Sequence, residues 1–227
     1  MAPPPLPRAE PVGRGGPGMR IDFRTARAED AGVAAELVHG AGPAAIDYGF
    51  SDGALSSRQF LVLAFRDGRG FFGAANHTAA IVDGEVVGVC ASYGREEYRG
   101  LAAGLVAQVL RFYPWTRAAG VLSRCLRLRA LMPPPEAGMH YVANLGVREP
   151  WRGRGIGRAL VAGAQARART LGRTVLALDV ADDNPRARAL YESLGFAPRA
   201  RYRFAGTPGK VPDSTRMVMA VGEGERP

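Results

Sequence analysis

Asn144-Leu-Gly-Val-Arg-Glu-Pro-Trp-Arg-Gly-Arg-Gly-Ile-Gly157 joins a strand pattern to a helix pattern through a loop crowded with glycine and arginine. His140 to Val147 is apolar enough for a buried strand. Gly155 to Leu171 carries Ile156, Leu160, Val161, Ala164, Ala168 and Leu171 at spacings near 3.6, the stripe of an amphipathic helix, and Gly172 suits its end. Between them, the glycines of Arg152-Gly153-Arg154-Gly155-Ile156-Gly157 let the backbone pass close to a ligand with its N–H groups turned inward. Free N–H groups at a helix start, with the dipole behind them, form an anion site. Arg152, Arg154 and Arg158 add charge-assisted bonds, so a diphosphate suits this loop. The spacing argues against ATP and NAD. No Gly-Lys-Ser/Thr follows, and Arg158 stands where a dinucleotide fingerprint needs its last glycine.

Downstream, Thr174 to Val180 is a strand buried on both faces. Pro185 opens a short helix to Ser193, with Asn184 at its N-cap position. Arg201–Phe204 and Thr215–Val221 are predicted strands. Upstream, Ile21–Thr25 reads as a strand, residues 28–39 and 54–66 as helices, and residues 44–53 as irregular. His77–Asp83 and Glu85–Tyr93 flank Asp83-Gly84, a tight hairpin signal. Residues 96–131 read as helical with interruptions near Pro114 and Gly120, and Pro133 to Pro135 stop any helix. The order predicts one mixed α/β domain over residues 20–221. Residues 1–19 form a flexible Pro/Gly-rich tail and residues 222–227 a frayed end. The tail's Gly13-x-Gly15-x-x-Gly18 follows no strand and contains Pro17, so no dinucleotide site is expected there.

The 227 residues are 47% hydrophobic and 22% charged, which suits a globular domain with its own core. No apolar run approaches the ~20 residues of a membrane span, and the first residues lack a secretory apolar segment, so a cytoplasmic protein is expected. Cys90 and Cys125 lie far apart without metal-type spacing and read as reduced thiols; no metal is expected. The net charge of +9 comes almost wholly from arginine, with Lys210 the only lysine. The arginines are spread along the chain, and no helix-turn-helix, zinc or RNA-binding aromatic motif accompanies them. Nucleic acid is therefore not an expected partner.

Arg152-x-x-Gly155-x-Gly157 resembles the Arg/Gln-x-x-Gly-x-Gly/Ala motif of the GNAT superfamily of N-acetyltransferases. Asn144–Gly157 resembles that family's fourth strand and pyrophosphate loop, and Leu176–Phe196 its fifth strand and following helix. The resemblance is specific over about 140–204, looser over 20–95, and absent over 96–139. It implies a central mixed, mostly antiparallel sheet with parallel strands four and five splayed apart, flanked by helices. It also implies acetyl-CoA as the acyl donor, with pantetheine in the opening between those strands.

By the same resemblance Leu145, Gly146 and Val147 pair with the pantetheine arm, and the Leu145 N–H faces the thioester oxygen, where negative charge grows. Residues Arg152, Gly153, Arg154, Gly155, Ile156, Gly157 and Arg158 hold the diphosphate. Asn184 contacts the arm as well as capping its helix, and Tyr191 stands near the sulfur as general acid. Many members carry a glutamate base on the fourth strand. Gly138-Met139-His140-Tyr141 has no carboxylate. His140 is the candidate base, its ordinary pKa of ~6.5 suiting proton transfer; a polar residue at a strand start, or a water relay, are the other readings. Asp179 lies in or beside the opening.

Acceptor contacts are expected in residues 44–53 and 93–99, where Asp47, Tyr48, Asp52, Tyr93, Glu96 and Glu97 suit a cationic amine. Pro114, Trp115 and residues 119–131 either cover the acceptor site or form a partner surface, such as a homodimer contact. The expected function is acetyl transfer to a primary amine, on a small molecule, by direct attack in a ternary complex. One alternative is a protein N-terminus or lysine as acceptor, since residues 140–196 resemble ribosomal-protein N-terminal acetyltransferases. Another is a non-catalytic acyl-CoA-binding regulator, against which Asn184 and Tyr191 argue.

Overall fold

The computed structural model describes residues 19–222 except 54 and 208, so the expected tails and the Gly13–Gly18 run fall outside the described residues but for Met19 and Gly222. The strands are β1 (Asp22–Thr25), β2 (His77–Val82), β3 (Glu85–Gly94), β4 (Met139–Val147), β5 (Val175–Ala181), β6 (Ala197–Tyr202) and β7 (Ser214–Ala220). They form one sheet in the order β1-β2-β3-β4-β5-β7-β6. Only the β4–β5 pair is parallel; every other neighbour is antiparallel. This is the mixed, mostly antiparallel sheet expected from the resemblance. At the β2–β3 hairpin Asp83 has φ 51° and Gly84 φ 81°, the two positive angles a tight two-residue turn demands.

The helices are α1 (Ala31–Ala41), α2 (Pro43–Phe50), α3 (Ser57–Asp67), α4 (Arg95–Phe112), α5 (Trp115–Arg129), α6 (Ile156–Thr170) and α7 (Pro185–Ser193). The two largest apolar clusters among the described residues lie against the sheet. One packs Phe50, Phe60, Leu61 and Phe65 of α2 and α3 with α1 against Ala79 and Val89. The other packs Ile156, Leu160, Val161 and Ala164 of α6 against Ala80, Val87, Val142 and Leu178.

Residues 44–53, expected as irregular, are mostly helix α2. Pro43 occupies its first turn, where the missing N–H costs nothing, and Ile46 and Phe50 are buried by the α1–α3 layer. Pro114 does divide α4 from α5, whereas Gly120 lies inside α5 without breaking it. The strand expected at Arg201–Phe204 is β6, which begins earlier at Ala197.

Candidate active site

β4 and β5 pair only at Met139↔Val175, His140↔Leu176 and Tyr141↔Ala177. Beyond Tyr141 the two strands part, while β4 keeps its antiparallel partner β3 as far as Gly88↔Val147. The β3–β4 register slips between Val89 and Ala91, so that Asn144 and Leu145 together oppose Cys90. Asn144 holds φ 54° at this bulge. Its Nδ2 donates to Phe71 O at 3.1 Å and lies 3.2 Å from His77 Nε2.

The bulge decides where the strand's amides point. Arg148 N–H donates to Val87 O on β3 at 2.9 Å. Backbone groups alternate along a strand, so those of Val147 and Leu145 aim at the opposite edge, the splay. Without the extra residue the groups of Asn144 and Gly146 would point there instead. Gly146 is sterically required for a separate reason. A Cβ at this position would run into the Leu37 carbonyl of α1.

The splay opens into a cavity of about 1250 Å³. One end is lined by Val147, Arg152, Gly153, Gly155, Gly157 and Arg158, and by Asn184, Ala187 and Tyr191 on the α7 side. Gly153 and Gly155 have φ 78° and 86°, a left-handed backbone that glycine adopts without strain. Among the described residues the amides of 153–158 donate to no backbone carbonyl, the condition of an anion cradle at a helix start. Gly157 packs under Leu190 with room for no more than ordinary contact. Arg152 Nε donates to the Val147 carbonyl at 3.0 Å, and Arg158 to Ser193 Oγ at 3.1 Å. Arg154 lies over the Trp151 ring at 5.1 Å and does not line the cavity. Arg148 and Arg186, which the sequence pattern did not single out, do line it.

Asn184 caps α7, its Oδ1 accepting from Ala187 N at 3.0 Å. Tyr191 is buried, and burial first, with Cys90 nearby, raises its phenol pKa, so it keeps its proton at neutral pH.

The placement of His140 corrects its assignment as base. The ring is fully buried, is not part of the cavity lining, and has no partner at either nitrogen. Burial first, then Arg167, pushes its pKa down to about 4. Strand alternation turns its neighbour Tyr141 into the cavity instead.

Of the stretches 44–53 and 93–99, Ala45, Ile46, Phe50, Tyr93 and Tyr98 line the cavity, but the carboxylates named there do not. Asp47 bonds to Ser57 Oγ and to His39 at 2.9 Å, and Asp52 accepts from Leu55 N at 2.9 Å. Tyr48 packs edge-on against Phe204. Glu96 grips Arg173 at 2.8 Å, and Glu97 accepts from Gly94 N at 2.9 Å at the start of α4. Of the six residues only Tyr93 lines the cavity. The far wall comes instead from the segment no motif covered, through Ala102, Leu105 and Val106 of α4 and Leu122, Cys125 and Leu126 of α5. Trp115 is exposed and stands outside this wall.

Residues 44–196 match the Acetyltransferase (GNAT) family. The chain belongs to that family. A 74-residue stretch is 42% identical to mycothiol acetyltransferase of Beutenbergia cavernae, covering 33% of this chain and 25% of that protein. The chain thus spans a quarter of the length of this relative. Among solved structures, N-acetyltransferase from Staphylococcus aureus Mu50 superposes with a TM-score of 0.64 at 16% identity, covering 87% of this chain and 99% of that one. yncA from Salmonella typhimurium, solved with its cofactor acetyl-CoA, gives 0.51 at 17% identity over 92% and 98%. These likenesses share the fold. Among the described residues no helix is long and apolar enough to cross a membrane.

Proposed function

We propose that this chain transfers the acetyl group of acetyl-CoA to a primary amine on a small molecule by direct attack in a ternary complex. The observation that carries this reading is the continuity of the cleft. The backbone groups of Leu145 and Val147 aim into the same cavity whose end is the unpaired amides of the 153–158 loop. A pantetheine arm and its diphosphate need those two features in series.

Acetyl-CoA supplies the activated acyl group. Amides of 153–158 hold the diphosphate, and Arg152 turns from the Val147 carbonyl to join them, freeing that carbonyl for the arm. The Leu145 N–H stabilises the charge that grows on the thioester oxygen as the amine forms its C–N bond. Tyr191 donates a hydrogen bond, then a proton, to the sulfur as the C–S bond breaks. Asn184 keeps its Oδ1 on the helix cap and offers Nδ2 to the arm. The amine gives up its proton to solvent through a water relay.

Calorimetric titration with acetyl-CoA and with CoA tests this, alongside the double variant Gly155→Glu/Gly157→Glu. Saturable binding that the variant abolishes supports the reading; absence of binding by either ligand overturns it.

A further inference from the structure

The apex of the splay carries a hydrogen-bond arrangement that selects what can dock there. Tyr141, at the last β4–β5 pair, donates from its hydroxyl to Asp179 Oδ2 at 2.7 Å. Asp179 also receives two bonds from Arg216, at 2.9 and 2.8 Å, and Arg216 Nη2 donates to Pro133 O at 2.7 Å. Arg216 is 1% exposed, so this pair is fixed in the core. A carboxylate held by a guanidinium is an acceptor only, and the single Tyr141 proton is committed to it. Toward the cavity, which both Tyr141 and Asp179 line, the hydroxyl can offer lone pairs alone.

Around it stands an aromatic wall. The Tyr93 ring lies 5.4 Å from Tyr141 and 5.6 Å from Phe71, and Phe71 lies 5.3 Å from Tyr98. Ring faces attract a cation, and an acceptor-only oxygen among them suits a group rich in N–H donors. Beyond the rings the cavity continues between α4 and α5 along mostly apolar side chains, with the Arg129 guanidinium of α5 on the same wall. Val106, Leu126 and Met132 line it there and are 42%, 67% and 42% exposed. No carboxylate stands in that stretch; Glu36, at the α1 side, is already engaged by Arg58 at 3.0 Å.

We propose that the acceptor is an amine on an aromatic or aliphatic body, its nitrogen donating to Tyr141 Oη and its apolar part lying between α4 and α5. This rests on the acetyltransferase reading above and names its substrate class. A chain with a second charge, such as a diamine, would set that charge beside the Arg129 guanidinium, where no carboxylate of α4 or α5 lines the cavity and the like charge repels it.

The test uses the full chain saturated with acetyl-CoA and measures release of the CoA thiol. Phenethylamine and hexylamine are compared with putrescine. The inference expects kcat/KM at least about tenfold higher for the two apolar amines, the ratio a modest apolar contact supplies. Leu126→Asp, at an exposed position, is expected to raise KM for hexylamine about tenfold with the affinity for acetyl-CoA unchanged. Tyr141→Phe is expected to lower affinity for both apolar amines. Calorimetric binding of phenethylamine, with and without CoA, is read in parallel so that a defect in transfer does not hide docking. Putrescine turning over as well as hexylamine, or indifference of hexylamine to Leu126→Asp, overturns the inference while acetyl-CoA binding keeps the wider reading intact. Failure to bind acetyl-CoA overturns the wider reading, and the phenethylamine titration then decides the amine site by itself.

Discussion

Asn144 Nδ2 lies 3.2 Å from His77 Nε2, and through this contact a buried ring on β2 holds the bulge of β4. His77 Nδ1 stands 2.9 Å from the Gly73 carbonyl, which can only accept, so the Nδ1 carries the proton and Nε2 receives the Asn144 amide. Burial pushes the His77 pKa down to about 4, which keeps that tautomer neutral. The arrangement predicts how the bulge responds to substitution. Asn144→Ala loses both side-chain bonds and keeps a Cβ at φ 54°, a backbone about 1–2 kcal/mol worse than that of glycine there. Asn144→Gly loses the same bonds without that strain. Urea unfolding should therefore rank the wild type above Asn144→Gly and Asn144→Gly above Asn144→Ala. Equal stability of the two variants would show that the left-handed backbone costs nothing here.

Gly146→Ala is expected to destabilise by about 1–3 kcal/mol, the usual cost of forcing an extra carbon into a closed site. Its Cβ meets the Leu37 carbonyl, which is helix backbone and cannot turn aside as a side chain would. The shift in urea midpoint at constant slope measures this. A neutral result would mean that α1 moves freely against β4.

Tyr191→Phe keeps the ring packing against Phe196 and removes only the hydroxyl. Turnover is expected to fall by ~10²-fold, the lower end for a lost general acid, with acetyl-CoA affinity little changed. An unaltered kcat would assign this ring to packing alone.

His77 and His140 together set the acid sensitivity of the fold. Both have pKa values near 4 in the folded chain against an ordinary 6.5. Below pH 6.5 the unfolded chain takes up protons on these rings that the folded chain refuses. Their contribution is thus complete above pH 6.5 and is lost as pH falls toward 4, by roughly 3 kcal/mol per ring. Asp30, held low first by the Arg24 hydrogen bond, and Asp67, held low first by that of Arg69, lose their contribution only in stronger acid. Urea unfolding across this range should fall less steeply in His140→Leu, with no loss of stability at neutral pH, because both ring nitrogens of His140 lack partners. Turnover of His140→Leu should match the wild type; a collapse in kcat would restore the ring as base.

Removing one member of the Asp179–Arg216 pair leaves the other charge buried. Arg216→Met is expected to cost about 3–5 kcal/mol, as for other broken buried pairs. Thermal unfolding measures it, and a change below ~1 kcal/mol would mean solvent reaches the pair.

The residues 139–202 were legible as elements because their signals are local. Glycines with arginine after an apolar run, a 3.6 period, and Asn184-Pro185 before a helix depend on neighbours within a few positions. Helix α2 was not legible, since Gly40, Gly42 and Pro43 signal a stop and only burial of Ile46 and Phe50 sustains the turn that follows. The candidate carboxylates at 47, 52, 96 and 97 matched an amine site by chemistry, but their partners lie elsewhere in the chain or on the backbone of a helix start. Ser57, Arg117, Arg173 and the Gly94 amide claim them in the folded chain.

The sequence by itself determined the strand–loop–helix with its unpaired amides, because glycine torsions and helix-end amides are properties of a short stretch of chain. It also determined the order of the later elements that places Asn184 and Tyr191 beside that loop. Only the tertiary structure decided that Tyr141 faces the cavity while His140 does not, because strand faces alternate and a single residue of register exchanges them. It likewise decided that α4 and α5 close the far wall. Their apolar residues carry no motif, and which of them meet β4 and α1 depends on packing between segments distant in sequence.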